Sequence, residues 1–283
     1  MTLNHIEDKH ATVVMASCNT SQSHDKLRVM AELCVESVFI TGTSKGVGLG
    51  LVKGFLELPN PPKHVFASCI DPDNDEATEL RDVASHNPIV TLVKLDVQSD
   101  ADIANAVTTV QRVLGQRGLN LLINNAAINS QLYGLESLTR DDIMSHCDCN
   151  VAGLLLVSRA FVPLLRTASK QNETLPLGCN RAAIINMSTG LIKSQFWSPD
   201  ERRYSYVLTK TAAAIATTMM SRELSPDDIL VAGVSPGWVK TEMGGPDGRI
   251  TVEESVILCF ERFCMLKAEH RGKMVLKYKT MEL

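Results

Sequence analysis

A chain of 283 residues, 45% hydrophobic and 21% charged, is long enough to bury a sizeable core in one α/β domain. Its formal net charge of -4 and its lack of any dense Lys/Arg block exclude the electrostatic footprint of a nucleic-acid binder. No apolar run reaches about 18 residues and the first 30 lack the pattern of a signal peptide, so no membrane partner is expected.

Residues 1–36 are mixed and polar, without sustained periodicity, and are expected to form a poorly structured N-terminal extension, with Met30 as an alternative start. A single domain is expected over 37–283. It opens with the apolar strand Val38-Phe39-Ile40, a glycine-rich turn, and helical spacing over 49–56. A strand at 64–70, a helix around 75–85, a strand at 89–95 and a helix at 101–114 follow. The apolar strand 119–123 leads to Asn124-Asn125-Ala126-Ala127, and 141–166 reads as one long helix. The remaining expectations are a strand at 182–187, a helix at 204–223, a strand at 229–234 ending at Ser235-Pro236-Gly237, a helix at 252–263 and a last strand at 272–277. Repeated β-then-α units imply parallel strands with helices on both faces, a doubly wound Rossmann-type α/β fold.

The eight cysteines, at 18, 34, 69, 147, 149, 179, 259 and 264, include no Cys-x-x-Cys pair and read as reduced thiols of a cytoplasmic protein. Cys147 and Cys149 point to different faces of a helix, so His146-Cys147-Asp148-Cys149 cannot close a tetrahedral metal set, and no metal is expected.

The turn carries Gly42, Ser44, Lys45, Gly46, Val47 and Gly48 between a strand and a helix. Glycines there let the backbone turn tightly and let a diphosphate approach the helix N-terminus. Tyr206 and Lys210 stand four apart, on one face of a helix, and a nearby cation lowers a phenol's pKa toward working pH. Such a phenol suits proton donation to a carbonyl oxygen. Tyr204 has Leu208, not a lysine, four residues on.

Together, Thr-Gly-x-x-x-Gly-x-Gly at 41–48, Asn124-Asn125-Ala126, Ser188 at a strand end, Tyr-x-x-x-Lys and Pro236-Gly237 resemble the classical short-chain dehydrogenase/reductase family over about 37–283. Within it, Gly50-Leu51-Val52, Asn150-Val151 with Gly153, and the stretch 236–246 are most similar to the sniffer-like and C-factor-like carbonyl reductases. The resemblance implies Tyr206 as general acid/base, Lys210 tuning it and holding the nicotinamide ribose, Ser188 orienting the substrate oxygen, and Asn150 holding a relay water. It implies cofactor contacts from Asp96, Val97, Asn124, Ala126, Pro236, Gly237, Val239 and Thr241, and a homodimer or homotetramer packed through 141–166 and 204–223.

Cofactor choice is open from the residues. The position where an acidic residue holds a ribose 2′-hydroxyl is Cys69, followed by Ile70 and Asp71, while Lys45 before Gly46 has the charge to pair with a 2′-phosphate. NADP(H) is the expected cofactor, with NAD(H) as the alternative. Phe196 and Trp197, in a lengthened loop between Ser188 and Tyr206, either line a substrate pocket or pack that loop down. The glycine-rich stretch 243–250 has the composition of a mobile loop. The resulting expectation is an NADPH-dependent enzyme reducing a small apolar ketone, aldehyde or quinone. The alternatives are an NAD-linked alcohol or hydroxysteroid dehydrogenase and a non-catalytic dinucleotide-sensing regulator.

Overall fold

The computed structural model describes residues 31–130, 133–198, 201–276 and 280–281. Among the described residues, eight strands form one sheet in the order β3-β2-β1-β4-β5-β6-β7-β8. They span Ser37–Ile40 (β1), His64–Cys69 (β2), Val90–Lys94 (β3), Leu121–Asn124 (β4), Ala183–Met187 (β5), Leu230–Val234 (β6), Met274–Val275 (β7) and Thr280–Met281 (β8). All neighbours pair in parallel except β7 and β8. The strand order reverses between β1 and β4, the switch point at which such sheets open a crevice beyond the strands' carboxyl ends.

Side-chain alternation divides the core between the two faces. Val38 and Ile40 of β1 point to the face covered by α1 (Gly46–Leu56) and α7 (Val252–Met265), whereas Phe39 points to the face covered by α3 (Asp100–Leu114) and α5 (Leu154–Gln171). Phe55 meets Phe260 edge-on at 4.8 Å on the first face, and Phe39 lies 4.5 Å from Phe161 on the second. The remaining helices are α2 (Thr78–His86), α4 (Arg140–Cys147) and α6 (Tyr204–Glu223). Side-chain caps start several of them: Ser99 accepts from Asp102 N–H, Thr139 from Asp142 N–H, and Thr251 forms a capping box with Glu254.

The structure departs from the sequence expectations in four places. Residues 1–30 of the expected extension lie outside the described residues, but Leu33 and Val35 at its end are buried in the core. The single helix expected over 141–166 is interrupted by a π-turn, Asp148–Gly153, which contains Asn150. The helical stretch Arg140–Gln171 is long and apolar enough by length and composition to cross a membrane, which the sequence reading excluded; here its apolar face, with Val157, Phe161 and Leu165, packs against the sheet. Finally, of the last expected strand, 272–277, the described residues form a strand at Met274–Val275 alone, paired to β6, and Lys277 lies outside the described residues.

Candidate active site

The glycine turn is built by close approach. Gly42 has φ +69°, and a Cβ on it would lie 2.9 Å from Ala126 Cα; a Cβ on Gly48 would lie 2.1 Å from Gly42 O. Only glycine fits either position. Thr41 Oγ1 accepts from the N–H groups of Asn125 and Ala126 at 3.0 and 2.9 Å, and Asn125 Nδ2 donates to the carbonyls of Thr41 and Gly42, each at 2.9 Å. The turn is thus stapled to the end of β4 by Thr41 and Asn125, two motif residues to which the sequence reading gave no role of their own.

Asn124 faces elsewhere. Its Nδ2 donates to Ser158 on α5 and to Asn186 on β5, each at 2.8 Å, and Asn186 donates in turn to Thr217 on α6. The strand's alternation sends this side chain to the α5/α6 face, so its contribution is a buried polar ladder and not a contact to the glycine turn. Ala126 does touch the turn, beneath Gly42.

No described side chain caps α1, whose N-cap is Lys45, and no acidic residue occupies its first turn. The positive end of that helix is therefore available to an anion, and the turn of Ser44, Gly46, Val47 and Gly48 leads into it. This cradle fits a dinucleotide's diphosphate. Thr241 packs against Gly46, its Cγ2 3.5 Å from where a Cβ would lie, and its Oγ1 accepts from Gly244 N–H at 3.0 Å. Lys45 Nζ is held by Glu242 at 2.6 Å and Glu76 at 3.6 Å, and the Glu242 bond is the main reason its pKa is raised.

At the rim of β2, Cys69 is buried and Ile70 is 64% exposed, while Asp71 Oδ1 accepts from Asp73 N–H at 3.1 Å. Asp96 likewise closes its own turn by accepting from Gln98 N–H, and Val97 is buried against Gly153, where a Cβ would lie 2.8 Å from Val97 Cγ2. Pro236 and Gly237, the latter with φ +91°, carry β6 into a folded loop in which Val239 bridges Ile250 and Trp238 Nε1 donates to Gly244 O at 2.7 Å.

The four expected catalytic residues converge at the carboxyl ends of β4 and β5. Lys210, 5% exposed, donates from Nζ to Met187 O at 2.9 Å, which ties α6 to the residue before Ser188. Asn150 donates to Thr209 Oγ1 at 3.1 Å and clasps Ile128, accepting from its N–H at 2.8 Å and donating to its carbonyl at 3.0 Å. Those bonds account for the π-turn, since they fix the Asn150 side chain between two neighbouring elements. Ser188 is 7% exposed and its buried Oγ has no partner among the described residues. A buried hydroxyl without a partner is costly in a folded protein, and a ligand oxygen beside it would satisfy it.

The expected lowering of the Tyr206 pKa is not what the structure shows. Burial pushes the phenol up to about 12, with the Arg203 guanidinium opposing the rise. The Lys210 ammonium lies 5.9 Å from the Tyr206 ring centroid, directed at Met187 O, and burial brings its own pKa down to about 8.

A cavity of about 320 Å³ is lined by Tyr133, Ser198, Glu201, Arg203, Trp238 and residues 243–247, and by none of the four expected catalytic residues; Arg203, whose charge reaches the Tyr206 phenol, is its link to them. Arg203 forks onto Glu201, with Nε to Oε1 at 2.8 Å and a second bond from Nη2 to Oε2. Phe196 and Trp197 are not among its lining residues; Trp197 Nε1 donates to Leu191 O at 2.7 Å within its own loop. Behind α6, Ser205 donates to Asp142, and His146 bonds Asp142 O at 2.7 Å and accepts from Ser130 N–H at 3.1 Å. Burial opposes charge on Asp142, but hydrogen bonds from Ser205 and Ser130 with His146 nearby hold its pKa below the usual value. Among the described residues no group of His, Cys, Asp and Glu could hold a metal ion.

Comparison with known proteins gives the site its context. The sequence model of the short chain dehydrogenase group matches residues 36–249. The NADPH-bound carbonyl reductase from chicken fatty liver superposes with a TM-score of 0.84 and 36% identity, covering 89% of this chain and 100% of that one. The carbonyl reductase Sniffer of D. melanogaster superposes with a TM-score of 0.82 and 34% identity, covering 85% and 96%. The short-chain dehydrogenase/reductase tropE of Talaromyces stipitatus is 30% identical over 226 residues, 75% of this chain and 82% of its own length. Two further curated dehydrogenases are longer proteins, of which the chain spans 43% and 52%.

Proposed function

Since the chain belongs to the short-chain dehydrogenase family and is thereby an oxidoreductase, we propose that it reduces the carbonyl of a small ketone, aldehyde or quinone with an apolar body, using NADPH. The observation that carries this reading is the buried Ser188 hydroxyl, unpartnered at the strand end to which Lys210 is bonded.

Residues 42–48 and the uncapped start of α1 would hold the diphosphate, Lys45 the 2′-phosphate, and Thr241 with residues 236–239 the nicotinamide end. When bound, the reduced nicotinamide supplies the hydride. Ser188 donates a hydrogen bond to the carbonyl oxygen, and Tyr206 gives that oxygen a proton. A phenol with a pKa near 12 stays protonated at neutral pH, so before reaction Tyr206 is a donor rather than a phenolate. Lys210 provides a positive charge for the phenolate left behind, and Asn150 keeps the segment at 128 and the second turn of α6 at 209 in register around it.

Apolar surface from Tyr133, Trp238 and Met243 suits the body of the substrate, and the Arg203–Glu201 pair presents neutralised charge at its edge. Mixing the protein with NADPH and a panel of such carbonyl compounds, and following loss of reduced-cofactor absorbance, tests the proposal. Turnover with NADPH and its loss in Tyr206→Phe are expected. Cofactor binding without turnover across the panel would transfer the protein to the sensing class.

A further inference from the structure

At the amino ends of the strands, some sixteen residues along α6 from Tyr206 and therefore roughly 24 Å away at 1.5 Å per residue, a second cleft of about 420 Å³ opens. It is lined by Thr218, Ser221, Arg222, Ser225, Arg271, Gly272 and Lys273, three cations and three hydroxyls with no acidic residue among them. The nearby carboxylate Asp228 is engaged by Arg181 at 3.0 Å and Arg271 at 3.4 Å.

Ser221, 4% exposed, lines the cleft with its hydroxyl-bearing side chain. Arg271 Nη1 donates to Ser225 at 2.9 Å, but its Nε is buried and unpartnered. Arg222, exposed on the last turn of α6, has no ion pair with a described residue. Gly272 brings the backbone against α6: with φ +69°, a Cβ would sit 3.3 Å from Ser221 Cβ. Burying unpaired donors costs free energy, and donors converging with positive charge are complementary to a phosphoryl group.

We propose that this cleft is a second ligand site, separate from the dinucleotide cradle, that takes a small soluble phosphate-bearing molecule. Arg222 supplies charge, and Ser221 and the Arg271 guanidinium supply donors. A concave cleft of this volume accommodates one or two phosphoryl groups, not an extended polyanion.

Calorimetric titration of the full chain, its dinucleotide cradle first saturated with NADPH, with inorganic pyrophosphate at low salt tests it, comparing wild type with Arg222→Gln, Ser221→Ala and Lys45→Ala. Expected is one site weakened roughly tenfold by Arg222→Gln, in line with the loss of a charge-assisted bond. It is weakened severalfold by Ser221→Ala and unaltered by Lys45→Ala, with unchanged carbonyl turnover in the first two variants. Absence of binding, or binding lost in Lys45→Ala and retained in Arg222→Gln, would overturn the proposal. So would attachment to vesicles of anionic phospholipid by a protein that does not bind pyrophosphate.

Discussion

Lys210 Nζ and Met187 O stand 2.9 Å apart, a bond that joins the helix carrying Tyr206 to the strand end carrying Ser188. The lysine is thus a structural tie as well as a charge. Lys210→Met should lower turnover and also reduce affinity for reduced cofactor, whereas Tyr206→Phe should lower kcat by roughly 10²–10⁴, the usual worth of a positioned general acid, with affinity preserved. Fluorescence titration beside steady-state kinetics separates the two. Equal affinity in both variants would show that the tie does not matter for the cofactor.

The same lysine makes stability depend on alkaline pH. Its folded pKa is near 8 against 10.5 for the free side chain, so between those values the unfolded chain binds more protons. Through this group, stability rises as pH goes from about 8 to about 10.5. Tyr206, raised from 10.0 to about 12, acts in the opposite sense, losing stability only as pH climbs from 10 toward 12. Urea unfolding at pH 7.5 and at pH 9.5 should therefore show wild type gaining on Lys210→Met, and a constant difference would argue against a desolvated ammonium.

Lys45 is already paired before any phosphate arrives, with Glu242 at 2.6 Å and Glu76 at 3.6 Å. Lys45→Ala should weaken NADPH binding roughly fivefold to tenfold, an exposed charge-assisted bond being worth less than a buried one, with little effect on NADH. Glu242→Gln should tighten NADPH binding by freeing the ammonium. Binding of both cofactors to each variant is the measurement, and an NADH affinity that falls in parallel would remove Lys45 from cofactor choice.

Ser205 and Asp142 join the residue beside Tyr206 to α4, and His146 completes the buried set. Asp142→Ala should destabilise the fold by about 1–3 kcal/mol, since it leaves buried groups without a partner. Asp142→Asn, which keeps an acceptor for Ser205, should recover part of the loss. Chemical denaturation of the two variants checks this, and equal stability would mean the network contributes nothing.

What could be read in the sequence were features carried by short spacings. The β–α alternation, the glycine turn and Tyr206 with Lys210 depend on residues close in the chain, and the comparisons bear out both the fold and the family. What could not be read depends on direction and distance. Asn124 and Asn125 are chemically identical neighbours, and only the pleat sends one to Ser158 and the other to Gly42. The carboxylate on Lys45 lies 197 residues away, and the one on Ser205 lies 63 away. The break in the long helix follows from Asn150 reaching Ile128 and Thr209, a tertiary demand that helical periodicity does not reveal.

The antiparallel pairing of β8 to β7 bears on what the sheet's edges expose. Among the described residues, the sheet's outer strands are β8, two residues long, and β3, which is five residues long and ends in exposed Lys94. A strand of two residues supports too few rungs for another chain to zip onto, and a charged side chain discourages that at the far side. The described edges of the sheet therefore resist growth by strand addition.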